Sequence, residues 1–480
     1  MTFKANFRKK SFEDLNNEAR SSKGLVRTMG AFQLILLGIG AIIGGGIFVL
    51  TGTAAFNHAG PAIILSFAIS GIVCICAGLC YAEFASMIPV SGSSYTYAYA
   101  TLGELPAWLI GCFSILAYFL SAASVANGWS SYFVSLMDQC NIELPKRFLY
   151  ITGHLYIDAN GDNQRALFNL PAFLISIFTM LILYKGNKGS SIFNIVIVFI
   201  KMTVIFLFIV IGITQINYSN WVPFIPKNTG AFGHYGISGI FSGVSIVFLS
   251  FNGFDSICTA AQETKNPQRN LPIGIIGSII ISTITYILVG AVLTGIVSYK
   301  DLNTAQPFVV AVKNMENIAF LMFIKLGALA AITSVILVHQ YSIVRMIYSI
   351  ATDGLLPDLL KKIHKRYCTP YLATIIVGVS MGLVSALIKL EEIVKLSTFF
   401  VLVTIIFTCF STIYLRYKRP HLKREFKCPF VPWVPMIAIL LAGYILLGYP
   451  FLTIKYFFIC LTLCTIYYLS YGKYKSHLAK

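Results

Sequence analysis

Gly38-Ile39-Gly40-Ala41-Ile42-Ile43-Gly44-Gly45-Gly46-Ile47-Phe48 lies in the middle of the first long apolar segment of the chain. Each glycine disfavours a helix interior by roughly 1 kcal/mol relative to alanine. Three in a row therefore mark a place where the helix opens. In a bilayer, opened backbone is tolerated only against protein or a watery cavity. An unwound glycine stretch at mid-membrane is the arrangement with which transporters hold small charged solutes.

The surroundings of that stretch are those of a membrane protein. Of 480 residues, 57% are hydrophobic and 11% charged, whereas a soluble domain carries about 25% charged residues. Apolar segments predict an all-α polytopic fold of twelve spans, near 31–51, 61–82, 105–136, 169–184, 190–214, 237–259, 271–297, 318–350, 370–388, 394–416, 430–447 and 450–471. Crossing about 30 Å of hydrocarbon takes about 20 residues, so the fourth span is short, and the third and eighth are long enough to tilt.

The net charge of +18 would suggest nucleic acid in a soluble protein. Here position explains it, and no nucleic-acid partner is expected. With the N-terminus inside, 24 of the 36 Lys and Arg fall on inner segments, nine on outer ones, and Lys201, Lys325 and Arg345 within spans. That bias places both termini in the cytosol. The basic loops around Lys361-Lys362 and Arg416-Tyr417-Lys418-Arg419 read as this orientation signal, with contact to anionic membrane lipid as a secondary role. The stretch Met1–Arg27 is too long and polar for a cleavable signal peptide, and reads as a cytosolic tail.

The sixth span answers to the first. Ser250-Phe251-Asn252-Gly253-Phe254-Asp255-Ser256 sets polar residues and a glycine into an apolar run. Either interruption alone could be a kink; two in matching positions are the mark of inverted repeats with broken first helices. Five spans per repeat invert the second copy. The expected organisation is a tail at 1–30, a first repeat at 31–214, a second at 237–416, two added spans at 430–471, and a tail at 472–480.

Lys201 stands in the centre of the fifth span, in Ile197-Val198-Phe199-Ile200-Lys201-Met202-Thr203. A central lysine costs about 2.5–3.5 kcal/mol on insertion scales and usually faces the protein interior and function. At 1.5 Å per residue it lies about 16 Å from the nearer end, too deep for its stem to snorkel. Lys325 and Arg345, nearer the ends of span 8, are expected to snorkel. His339, deeper in that span, reads as either a packing or a functional histidine.

These residues resemble the cationic amino acid transporter family of the amino acid–polyamine–organocation superfamily, over nearly the whole chain. The match runs through Gly40-Ala41-Ile42-Ile43-Gly44-Gly45-Gly46-Ile47-Phe48-Val49-Leu50-Thr51-Gly52, Tyr81-Ala82-Glu83-Phe84-Ala85-Ser86, and Ser91-Gly92-Ser93-Ser94-Tyr95-Thr96-Tyr97. It continues in Leu102-Gly103-Glu104-Leu105, Gly128-Trp129-Ser130, Gly253-Phe254-Asp255, Lys265-Asn266-Pro267-Gln268 and Asp353-Gly354-Leu355-Leu356-Pro357. The resemblance implies the five-plus-five inverted repeat of the broken-helix sodium symporters (a LeuT-like fold), and import of amino acids by alternating access.

It also implies a site. The substrate carboxylate would sit on the amides of Gly44, Gly45 and Gly46, at the positive end of a half-helix. The substrate ammonium would meet carbonyls around Ile43 and from Phe248 through Leu249 to Phe251, beside Gly253. Phe251 would be a thin gate. Lys201 matches a lysine of proton-coupled members, where its ammonium takes the place of a sodium ion. Desolvation disfavours a charged ammonium, so this group could load and release a proton as access alternates.

Spans 3, 6, 8 and 10 would select the side chain, with Ala117, Ser121, Ser334 and His339 as candidates. The acidic residues many members carry early in span 3 are replaced by Cys112, Phe113, Ser114 and Ala117, which weakens the case for a cationic substrate. Thr352 stands where an arginine usually precedes Asp353-Gly354. Glu83, Glu104 and Asp255 could hold an inner gate with basic partners.

Other functions fit less well. No HExxH motif or nucleophile–base pairing is visible, so an enzyme is not expected; neither is a cofactor or metal. No repeated filter loop suggests a channel, and a lysine in the cation site disfavours a sodium symporter. An exchanger of amino acids or polyamines remains open. Cys140, in the loop after span 3, stands where heteromeric relatives link a partner, but the rest of the chain looks like the stand-alone family. Asn217-Tyr218-Ser219 is a formal glycosylation sequon, idle if the protein sits in a bacterial inner membrane, as its Lys-, Ile-, Asn- and Phe-rich usage suggests.

Overall fold

The computed structural model describes residues 8–11, 13, 15, 27–142, 144–157, 162–304, 306–313, 318–388 and 390–477. The expected tails, 1–30 and 472–480, lie only partly within them. Among the described residues, eight helical stretches are long and apolar enough to cross a membrane. Three shorter apolar helices, Leu170–Tyr184, Tyr371–Leu387 and Trp433–Leu447, stand at spans 4, 9 and 11. The first long stretch, Ala31–Met87, contains both span 1 and span 2. It reverses at Gly60, whose φ of +60° suits glycine, followed by Pro61.

Span 4 is indeed short, at 15 residues, while Glu104–Gln139 and Ile318–Thr352 run to 36 and 35 residues. Asn169 caps span 4 by accepting from the Ala172 amide, which satisfies one of the free donors at a helix start. The loop between spans 3 and 4 holds a small antiparallel hairpin, Leu155–Ile157 on Asn163–Arg165, with Leu155 opposite Arg165. Its three-residue strands are too short to show a period in the sequence.

Span 7 (Pro267–Ile296) packs along span 2 (Ile63–Met87), span 8 along span 3, and span 9 along span 4. Spans 2, 3 and 4 thus each lie on the one five places later. Spans 1 and 6 meet in the middle, where both are broken. Span 12 (Phe451–Tyr467) stands at the periphery, with Phe451, Phe458 and Leu463 exposed. Such an apolar face suits lipid.

Candidate functional site

The first helix, Ala31–Ile42, ends at Ile43, which takes an extended conformation (φ −79°, ψ 109°). After Gly44 and Gly45 the chain resumes as a wide π-helical turn, Gly46–Leu50. The break leaves carbonyls at the negative end of the helix without intrahelical donors. Lys201 fills that end. Its Nζ donates to the carbonyls of Ile39 (2.9 Å), Gly40 (3.2 Å) and Ile43 (2.7 Å), and to Ser334 Oγ (2.9 Å). The residue is completely buried. Charge-assisted bonds of this kind offset the cost of burying an ammonium. Ser334, from span 8, in turn donates to the Gly40 and Ala331 carbonyls.

Span 6 breaks in register with span 1. Gly236–Val247 is α-helical, Phe248–Phe251 tightens to a 3-10 turn, and Asn252 is extended. Gly253 takes a φ of +110° before the helix resumes at Ser256–Thr259. Tyr286, from span 7, joins the two breaks: its hydroxyl lies 2.8 Å from both the Ile42 and the Ser250 carbonyl. Close approach demands glycine at 46, where a Cβ would come within 2.5 Å of the Ser250 Cα.

Between the breaks lies a cavity of about 20 Å³. It is lined by Ala41, Ile42, Gly45, Gly46, Val49 and Leu50 of span 1, and by Ser121, Ser124, Val125 and Gly128 of span 3. Leu249, Ser250 and Asn252 of span 6, with Val335 and His339 of span 8, complete it. That volume holds about one water, so this conformation is contracted and must widen to admit a solute. Among the described residues, no carboxylate lines the cavity. A neighbouring space of about 10 Å³ is lined by Asp255, Tyr118, Ser114, Ala117 and Thr404, and shares Asn252 with the first.

The expected residues divide. Gly45, Gly46, Leu249, Ser121 and His339 line the central cavity, and Ala117 lines the second. Gly253 adjoins the site: a Cβ there would come 2.8 Å from His339 Nε2. Ile43 gives its carbonyl to Lys201, and Gly44 packs on Val335 and the Ala331 carbonyl instead of lining the cavity. Phe248 is buried outside the lining. Phe251 is not among the residues lining this cavity; its ring packs edge-on against Tyr286 at 5.1 Å. Leu249 takes the cavity side; positions two apart differ by about 200° on an α-helix and about 240° on a 3-10 turn, so Phe251 faces elsewhere in either case.

Tyr286, Asn252, Ser124, Val125 and Val335 were not singled out from sequence as site residues. Tyr286 carries a weak signal, a hydroxyl in the apolar run Ile284-Thr285-Tyr286-Ile287. Buried tyrosines usually find a hydrogen-bond partner.

Polar contacts close the end of the bundle that carries both termini. Glu83 accepts a two-bond fork from Arg416 (2.9 and 2.7 Å), a bond from Arg424 (3.0 Å) and the Cys428 amide (2.8 Å). Glu104 accepts from the hydroxyls of Tyr99, Tyr468 and Ser476. Asp255 meets Tyr118 rather than a basic side chain. Arg345 does not snorkel; it is 2% exposed and pairs with Glu263, which also accepts from Tyr341. Its partner lies 82 residues away and could not be assigned from sequence.

Beside Thr352, Asp353 pairs with Lys10 (2.6 Å) and accepts from Tyr95 (2.7 Å), and the His477 amide reaches its carbonyl. At the opposite end, Phe48 packs on Phe308 at 4.6 Å, and Trp129 donates to Thr333. Lys325, at that end, does not snorkel either; it is 3% exposed and donates to the Ser135 carbonyl. Cys140 is exposed there.

Comparison with known proteins agrees with this architecture. The family model described as "Amino acid permease" matches residues 29–469. A methylthioribose transporter of Bacillus subtilis is 40% identical over 99% of this chain and 99% of its own. The branched-chain amino acid permease BcaP of the same organism is 40% identical over 98% of each. Cationic amino acid transporter 1 of Arabidopsis thaliana is 34% identical over 80% of this chain and 62% of its own. With its apolar helices and its paired breaks, the chain is an integral membrane transporter, not an enzyme, and belongs to the amino acid permease family of the amino acid–polyamine–organocation superfamily.

Proposed function

We propose that this protein imports a small neutral amino acid by alternating access, in symport with protons. The observation that carries the reading is the Lys201 ammonium seated on the carbonyls of Ile39, Gly40 and Ile43, beside a cavity bounded by two broken helices. A cationic side chain held where span 1 opens couples any change in its protonation to the shape of that break. The apolar lining of Val49, Leu50, Val125, Leu249 and Val335, with no carboxylate among the lining residues, favours an uncharged side chain. The name of the branched-chain relative agrees with it.

The wider frame is a twelve-span chain with repeats at 31–214 and 237–416 and both termini in the cytosol of a bacterium. The packing of spans 2, 3 and 4 on spans 7, 8 and 9, with spans 1 and 6 meeting at their breaks, supports the repeats. Under this frame the Glu83, Glu104, Glu263 and Asp353 contacts form the inner gate. Gly45 and Gly46 would receive the substrate carboxylate.

The test is uptake of labelled amino acids into proteoliposomes, with and without an inward proton gradient. Accumulation that collapses with a protonophore supports symport. Uptake only into vesicles preloaded with amino acid would make the protein an exchanger. A second reading, transport of a thioether sugar such as methylthioribose, is favoured by the polar Ser121, Ser124, Asn252 and His339 on the lining and by the name of a relative; the same panel should include it.

A further inference from the structure

The central cavity has a wall that an aliphatic solute would not use. His339 is 1% exposed, Asn252 3% and Ser250 2%. All three line the cavity. Both ring nitrogens of His339, the Asn252 Nδ2 and the Ser250 Oγ lack hydrogen-bond partners among the described residues. The Asn252 backbone carbonyl lies close to the imidazole but does not complete a hydrogen bond with either ring nitrogen. Buried polar atoms are almost always paired, and four orphans grouped at one cavity call for a ligand that pairs them.

Their chemistry says which kind. A neutral imidazole offers one donor and one acceptor, a carboxamide nitrogen two donors, and a hydroxyl both roles. A group that both donates and accepts fits this set. The cavity lining supplies no anion to balance a cationic solute. Glycine at 253 leaves room beside Nε2, since a Cβ there would sit 2.8 Å from it. The His339 ring is backed by Tyr118 at 5.1 Å between centroids, so it is held against the cavity from behind.

We infer that His339, Asn252 and Ser250 form a hydrogen-bonding subsite for an uncharged hydroxyl or carboxamide on the transported solute. The inference rests on the transport reading above and names the solute class within it: neutral and polar, not purely aliphatic. A site built to pair a hydroxyl discriminates strongly against the analogue lacking it, because its own polar groups are then left unpaired.

The experiment is competition for uptake in proteoliposomes by matched solutes of nearly equal volume: threonine against valine, asparagine against leucine, and methylthioribose against its 3-deoxy analogue. In the unaltered protein, the polar member of at least one pair should compete tenfold or more better. His339→Leu and, independently, Asn252→Leu should bring that pair to within about threefold. Parity in every pair, or preference for the apolar members, would overturn the subsite and leave the orphaned atoms to a trapped water. Failure of all six solutes to compete, with no uptake of any, would instead remove the transport reading, and the subsite with it.

Discussion

Replacing Lys201 by methionine shortens the side chain by one atom and removes its charge. The substitution strips a donor from three carbonyls and one hydroxyl. Two of the carbonyls keep partners: Ile39 accepts from the Ile43 amide at 3.0 Å, and Gly40 from Ser334 Oγ at 3.0 Å. The Ile43 carbonyl loses its charged donor, and one buried unpaired group costs about 1–3 kcal/mol. A methionine carries no desolvated charge, which offsets part of this. Lys201→Met should therefore fold, with a stability loss of at most about 3 kcal/mol.

Transport should change far more. One charge crossing 100 mV is worth about 2.3 kcal/mol, and at about 1.4 kcal/mol per decade that is roughly 50-fold accumulation. The variant should lose it and still exchange labelled for unlabelled substrate. The assay sets a potassium-diffusion potential and an inward pH gradient across proteoliposomes and follows labelled substrate to its plateau. Accumulation equal to the unaltered protein, with the same dependence on external pH, would refute the role of this lysine.

The remaining predictions concern how the breaks and the gate are held. Gly46→Ala should destabilise by about 1–3 kcal/mol or more through overpacking, because a Cβ meets the Ser250 backbone, whereas Gly45→Ala meets Val125 methyls at 3.0 Å and should be rescued by Val125→Ala; thermal unfolding of the purified protein reads both, and equal losses would count against the close approach. Tyr286→Phe removes the hydroxyl shared by both breaks. It should cost about 1–3 kcal/mol and slow uptake at saturating substrate; unaltered stability and rate would contradict the bridge. Glu83→Gln leaves Arg424, an arginine only 8% exposed, without its counter-charge. A loss of about 3–5 kcal/mol is expected, and a thermal shift equivalent to less than 1 kcal/mol would show that solvent screens the pair.

Much of the site was legible because its causes are local. Gly44-Gly45-Gly46 opens its helix wherever that helix is placed, and a lysine about 16 Å deep must find acceptors inside the protein. The depth of Lys201, the matching interruption at Ser250–Ser256 and the shortness of span 4 follow from counting along one segment. Periodicity and composition do not say which side of a broken segment faces inward. That is why Phe248, Leu249 and Phe251 were all assigned to the substrate site, whereas of the three Leu249 alone lines the cavity. Long-range partners were equally hidden.

Arg345 was read as a residue that snorkels, since its neighbours in sequence are apolar; Glu263 reaches it only through packing. The same holds for Lys10 on Asp353 and for the Tyr286 hydroxyl between two carbonyls. From residues alone came the membrane class, the two breaks and the buried lysine, because hydrophobicity, glycine conformational freedom and charge burial act through the chain's own neighbours. The tertiary structure alone decided which carbonyls the lysine holds, which side chains wall the cavity and which ion pairs tie the helix ends, because those pairings depend on helices brought together from distant parts of the chain.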